Sequence, residues 1–167
     1  MESRPGCELN GSIEISCRPE DVWSFLGDFE DVEAWASSIT SSYRTTGPDI
    51  GVGSRRTVWY RWVLRLEEAV TEWTDGQKLT YSVFGAPAPF RDFHETWSVA
   101  AAPDGATVTA RVRYNLSFGF AGRLLNRLLL KHILRFEVWA GLRALKKYVE
   151  ARSPASASLD DGMSPTL

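Results

Sequence analysis

The sequence predicts an α+β fold: a curved antiparallel sheet of about seven strands wrapped round a long C-terminal helix, with two short helices after strand 1. Three observations carry this expectation. Between Ile39 and Phe118 apolar and polar side chains alternate in short runs, closed by turn signals such as Gly47-Pro48-Asp49, Asp75-Gly76 and Pro103-Asp104-Gly105. From about Ala121 to Glu150 the pattern becomes helical and contains no proline. A sheet of that size has one face to bury, and this helix is the element long enough to cover it.

The elements follow in order. Asn10–Ser16 alternates Ile13 and Ile15 on one face and reads as a strand. Pro19 opens a helix, where its missing N–H costs nothing. Glu20 and Asp21 suit the positive N-terminus, and Gly27 stops the stripe of Val22, Trp23, Phe25 and Leu26. A second short helix is expected over about Glu30–Ala36, with Val32 and Trp35 as its apolar residues. Six strands follow: Ile39–Thr46, Ser54–Tyr60, Trp62–Trp73, Lys78–Phe84, Asp92–Ala101 and Ala106–Phe118. Short turns between them favour an antiparallel meander. The organisation expected is an N-terminal extension over 1–9, one domain over 10–151, and a disordered tail over 152–167 rich in Ser, Pro, Ala and Asp.

With 167 residues the chain can build one domain with a real core. A net charge of −2 implies no global attraction to nucleic acid. Cys7 and Cys17 have neither metal-ligand nor redox-motif spacing and read as thiols of a reducing cytoplasm. The first residues hold no apolar core, so no signal peptide is expected. The run from Leu124 to Leu145 is broken by Arg127, Lys131, Arg135, Glu137 and Arg143, so it is not a simple membrane span. There is no phosphate loop, dinucleotide fingerprint, nucleophile elbow or zinc spacing, so no metal or cofactor is expected. Seven tryptophans, eight phenylalanines and five tyrosines exceed ordinary usage. They suit a packed core, and equally the lining of an apolar pocket.

Five segments, in this order, resemble the SRPBCC superfamily (START-like or Bet v 1-like), and within it the polyketide cyclase/dehydrase and lipid-transport group. They are I-S-C-R-P-E-D-V-W-S-F-L-G-D-F-E-D-V-E-A-W, G-V-G-S-R-R-T-V, E-E-A-V-T-E-W-T-D-G-Q-K-L-T-Y-S-V, D-G-A-T-V-T-A-R-V-R-Y and W-A-G-L-R-A-L-K-K-Y-V-E. The resemblance covers about Ser12 to Glu150. It implies a helix-grip fold with a deep cavity between sheet and helix. Members bind apolar small molecules, and some cyclise polyketides; fold alone does not transmit activity.

Strand alternation proposes what faces that cavity. In D-F-H-E-T-W-S-V, Phe93, Glu95, Trp97 and Val99 share a face, and His94, Thr96 and Ser98 the other. A lone carboxylate in an apolar row costs several kcal/mol, so Glu95 must be paired, protonated or wet. Leu64, Leu66, Glu68 and Val70 share the inner face of their strand, as do Leu79, Tyr81 and Val83, and, on the last strand, Val108 to Tyr114 at alternate positions. Ile39, Ser41 and Tyr43 share a face. The family likeness of G-V-G-S-R-R-T-V puts Arg56 inside with Val58 and Tyr60, although Arg55 beside it suits either face. Two carboxylates around one arginine would raise one pKa and poise an acid. A purely structural ion pair is an equal alternative, and a bulge would reverse every facing after it.

The candidate catalytic residues are therefore Arg56, Glu95 and Glu68. The candidate ligand contacts are Trp35, Tyr43, Val58, Tyr60, Leu66 and Tyr81, then Phe93, Trp97 and Tyr114, then Leu129, His132 and Phe136 of the long helix. His132 suits enol or aldol chemistry if it looks inward; its ordinary reading is a satisfied core or interface histidine. The helix carries two stripes, one through Leu125, Leu129, Ile133, Phe136 and Ala140, the other through Val138, Leu142, Leu145 and Val149. Either Gly141 lets the helix bend, or the first half shows apolar surface to a partner. Its basic residues suit an acidic acyl carrier protein or a lipid surface, against the plainer reading of a solvated flank. Three functions remain open: a binder of a polyketide, aromatic or lipid-like molecule, a polyketide cyclase/aromatase, and a protein-interaction module with a filled core.

Overall fold

In a computed structural model of the chain, residues 6–47 and 49–153 are described. Residues 1–5, Pro48 and 154–167, which include most of the expected extension and tail, lie outside the described residues. Strands β1 (Cys7–Ile15), β2 (Ile39–Arg44), β3 (Arg55–Tyr60), β4 (Leu64–Thr74), β5 (Lys78–Phe84), β6 (Phe90–Ala102) and β7 (Gly105–Leu116) form one sheet. Its order is β1-β7-β6-β5-β4-β3-β2, antiparallel at every step. The chain is thus a meander from β2 to β7, closed by β1 on the far edge. β1 begins three residues before the expected Asn10.

Helix α1 (Pro19–Leu26) and a 3-10 turn over Asp31–Ala34 lie between β1 and β2. Pro19 starts α1, and the Gly27 N–H closes it on the Trp23 carbonyl. Val22, Trp23 and Leu26 are buried, and the Trp23 indole N–H donates to Asp75 in the β4–β5 turn at 3.0 Å. The short helices therefore plug one end of the sheet.

The C-terminal helix is α2 (Gly119–Leu125) and α3 (Lys131–Glu150), joined by a π-helical turn over Asn126–Leu130. Only the second expected stripe is buried: Val138, Leu142, Leu145 and Val149 lie in the main core. Full burial of each such side chain contributes roughly 1.5–3 kcal/mol. The helix lies close on β1, and a Cβ on Gly11 would sit 3.0 Å from Leu142 Cδ1. Even alanine there requires the Leu142 and Val138 methyl groups to give by a few tenths of an ångström.

Gly141 is not a bend. The irregularity falls at the π-turn, and at Gly141 the helix passes over the Trp97 ring, with an added Cβ in ordinary contact at 3.5 Å. A helical glycine costs about 0.5–1 kcal/mol relative to alanine. Gly141→Ala is therefore expected to raise the thermal midpoint by about that free energy, whereas Gly141→Leu, which must displace Trp97, is expected to lower it. Paired thermal melts check both.

Three register shifts bend the sheet: Ile39/Ser41 in β2, Val70/Glu72 in β4 and Arg91/His94 in β6. All three change which side chains reach the concave face; in β4 the shift turns Trp73, opposite Leu79, inward in place of Glu72.

Candidate functional site

On the concave face the register sets Arg56 opposite Glu68, Val70 opposite Tyr81, and Tyr81 opposite Glu95. The inward placing of Arg56, Glu68 and Glu95 on β3, β4 and β6 thus follows plain alternation. Arg56 and Glu68 are almost fully buried, and Arg56 Nε donates to Glu68 Oε2 at 2.6 Å. Arg56 Nη1 donates to the Phe29 carbonyl. The guanidinium lies over the Phe29 ring at 4.1 Å and near the Tyr81 ring at 5.3 Å. Arg56 is therefore paired with Glu68, not Glu95, and it fixes the loop after α1 to the sheet.

Glu95 takes other partners. The Trp97 indole N–H, two residues along the same face, donates to Glu95 Oε1 at 2.7 Å. The neighbouring Tyr81 hydroxyl also favours its charged form. These do not offset burial, and the Glu68 charge adds to it, so the Glu95 carboxyl is pushed up to about 7. Burial, then the charges of Glu95 and Glu68, raise the Tyr81 hydroxyl well above its ordinary value. An acid that changes charge near neutrality beside a committed Arg–Glu pair can donate a proton or a hydrogen bond to a bound oxygen.

Trp35 packs edge-on against Trp97 with ring centroids 5.5 Å apart. Its indole N–H is buried and has no hydrogen-bond partner among the described residues. Trp35, Arg56, Tyr81 and Trp97, with Leu26 and Val32, line a space of about 20 Å³. That holds about one water molecule. The deep cavity implied by the resemblance is therefore not open at this site: aromatic rings fill it, as Phe29 on Tyr81 and Trp35 on Trp97 illustrate.

Further along the same face, Phe93 stacks on Tyr114 at 6.0 Å, and Phe90 packs edge-on against both. The bulge between Arg91 and His94 brings Phe90 onto the face of Phe93. The Tyr114 hydroxyl donates to Asn126 Oδ1 at 2.7 Å, and Asn126 Nδ2 to Cys7 Sγ at 3.4 Å. Burial, and Cys7 after it, push the Tyr114 hydroxyl up to about 12.

Other expected contacts fall as follows. Val58 is fully buried beside Val32 and Ala36, with Leu66 packed against them. Tyr60 is half-buried; its hydroxyl accepts from Arg61 Nε at 3.0 Å, and burial raises its pKa. Tyr43 is a correction. The β2 bulge sets it opposite Thr57 on the convex face, 44% exposed, and turns Ser42 inward instead. Leu129, His132 and Phe136 are corrections too: all three are exposed, because α3 turns its other stripe to β1 and β7. His94 lies on the other face, as expected, bonded to Ser82 Oγ at 3.0 Å. The alternation pattern did not reveal Phe29, whose carbonyl and ring hold Arg56. Its signal was one apolar residue alone among Asp28, Glu30 and Asp31 in the loop.

Residues 6–150 match the family described as polyketide cyclase / dehydrase and lipid transport. The chain belongs to this family. No curated protein matches it in sequence. Among solved structures it is similar to the Zhui aromatase/cyclase from a Streptomyces species, with TM-score 0.75 and 9% identity, covering 89% of this chain and 96% of that one. A protein from Thermus thermophilus gives TM-score 0.69 and 22% identity over 88% of this chain and 99% of that one. Ara h 8.0201 gives 0.69 and 12% over 89% and 100%. At these identities the likeness establishes the helix-grip fold. Among the described residues no helix of this family member is long and apolar enough to cross a membrane.

Proposed function

We propose that the protein binds a hydrophobic small molecule carrying a carbonyl or hydroxyl oxygen, between the concave face of the sheet and the C-terminal helix. The observation that carries this is a pair of polar groups in an aromatic setting, of which the Trp35 N–H is buried and unspent. The Glu95 carboxyl sits near its neutral form, and the Trp35 N–H has no partner among the described residues. Each can bond one ligand oxygen, and a buried donor left unbonded is costly. Binding requires Trp35 and Trp97 to part, since a drug-sized ligand needs several hundred Å³.

One observation favours a second reading, a cyclase acting on a polyketide-like chain. Glu95 titrates near 7, where a proton shuttle works best. In that reading the site folds the chain into a reactive conformer. Glu95 moves the proton, and Glu68 holds Arg56 in place. The guanidinium retains Nη2 for a developing enolate oxygen.

Native mass spectrometry of freshly purified protein tests the binding reading. A releasable adduct of a few hundred daltons is expected. If apolar probes such as flavonoids and polyketide mimics also leave the apo mass unchanged, the core is closed and the reading fails. Glu95→Gln separates binder from catalyst. It is expected to hold ligand affinity within a few-fold, and any turnover of a polyketide mimic is expected to vanish.

A further inference from the structure

The first half of the C-terminal helix has a surface that the binding site does not use. From Gly119 to Phe136 the side chains of Phe120, Leu124, Leu125, Leu128, Leu129, Ile133 and Phe136 are between 40% and 72% exposed. At the β3–β4 turn Trp62 and Val63 are 76% and 82% exposed. The two elements are tied together, because Arg61 Nη2 of the turn meets Glu137 Oε1 of α3 at 2.6 Å. The turn that carries Trp62 and Val63 is therefore anchored beside α3, one helical turn from Ile133.

The charge on this half-helix is one-sided. Arg123, Arg127, Lys131 and Arg135 recur every four residues, so they form one ridge along the helix, beside the ridge of Leu125, Leu129, Ile133 and Phe136. All four cations are exposed. No acidic residue lies between Phe118 and Glu137. The chain as a whole is acidic, with net charge −2, so positive charge is concentrated where the apolar side chains protrude.

From this we infer that the first half of the C-terminal helix, with the Trp62–Val63 turn, docks on an anionic phospholipid surface. Exposed leucine and phenylalanine enter the headgroup boundary, and the cation ridge meets the lipid phosphates. A second copy of the chain is a poor occupant, since its own cation ridge would face this one. A fluid interface receives protruding side chains from two separate elements, whereas a protein partner must supply a matching pocket for each.

Flotation of the full chain with vesicles tests this without reference to any cargo. Vesicles of phosphatidylcholine alone are compared with vesicles that also contain phosphatidylglycerol. The protein is expected to float with the anionic vesicles only, and raised salt is expected to weaken this. Arg127→Gln with Lys131→Gln is expected to weaken binding about fivefold for each charge removed. Leu128→Ser with Phe136→Ser, and Trp62→Ser, are expected to weaken it with the cations intact. All these positions are exposed, and unchanged thermal midpoints confirm that the variants fold. Failure to float with either vesicle type overturns the proposal. So does binding to an acidic acyl carrier protein without flotation, or a dimer in light scattering that the Phe136 variant dissolves.

Discussion

Arg56→Leu is expected to destabilise the protein by about 3–5 kcal/mol, the cost of leaving a buried carboxylate without its partner. The side chains of Arg56 and Glu68 are only 5% and 8% exposed, so solvent cannot replace the lost pair. The variant also loses the bond from Nη1 to the Phe29 carbonyl and the stacking over the Phe29 ring, which hold the loop after α1. Glu68→Gln is expected to cost less, since Gln still offers Arg56 Nε an oxygen. The informative variant is the double one, Arg56→Leu with Glu68→Leu. If the pair is structural, the double variant should recover much of the loss, because two apolar residues of similar volume leave no buried charge. Denaturant unfolding of the three proteins checks this. A double variant as unstable as Arg56→Leu alone would place the main contribution of Arg56 in the Phe29 contacts.

The fold was legible because its period changes are clean. The strands of the meander are separated by Gly, Pro and Asp turns, and the helical stretch has no breaker. Glu68 and Glu95 were legible because β4 and β6 keep plain alternation at those positions, whereas Arg56 was placed by the family likeness of its segment, since alternation alone left Arg55 equally eligible. Tyr43 was not, because the β2 bulge at Ile39/Ser41 carries no glycine to mark it, and one extra residue turns the rest of the strand over. The pairing of Arg56 was legible only as a choice between two acids. Cross-strand register decides it, setting Glu68 directly opposite Arg56 while Glu95 lies two strands further on. The helix displayed both stripes equally well in sequence. Which one is buried depends on where α3 crosses β1, and the pattern of one element does not contain that. Burial of Leu142 over Gly11 fixes the choice and leaves Leu129, His132 and Phe136 in solvent.

Stability should fall as pH rises between about 4.5 and 7, and Glu95→Gln should remove that fall. Burial and the Glu68 charge raise Glu95 from 4.5 to about 7 in the folded protein. In that window the folded state holds a proton that the unfolded chain has released. Unfolding therefore releases protons, and higher pH favours it. The full effect is present above 7 and amounts to at most about 3 kcal/mol, from the tenfold-per-unit relation. Ordinary acidic groups such as Glu72, whose pairing with Lys78 lowers its pKa, work in the opposite sense and lose stability as pH falls. The wild-type profile alone is thus a mixture, and the difference between wild type and Glu95→Gln isolates the site. Gln keeps an oxygen for the Trp97 N–H and carries no charge at any pH. The variant is expected to match wild type near pH 4.5 and to exceed it by about 1–3 kcal/mol at pH 8. Urea midpoints across that range measure the difference. Parallel profiles would mean that Glu95 is ionised and solvated throughout, and the neutral acid on which the proposed ligand contact depends would be gone.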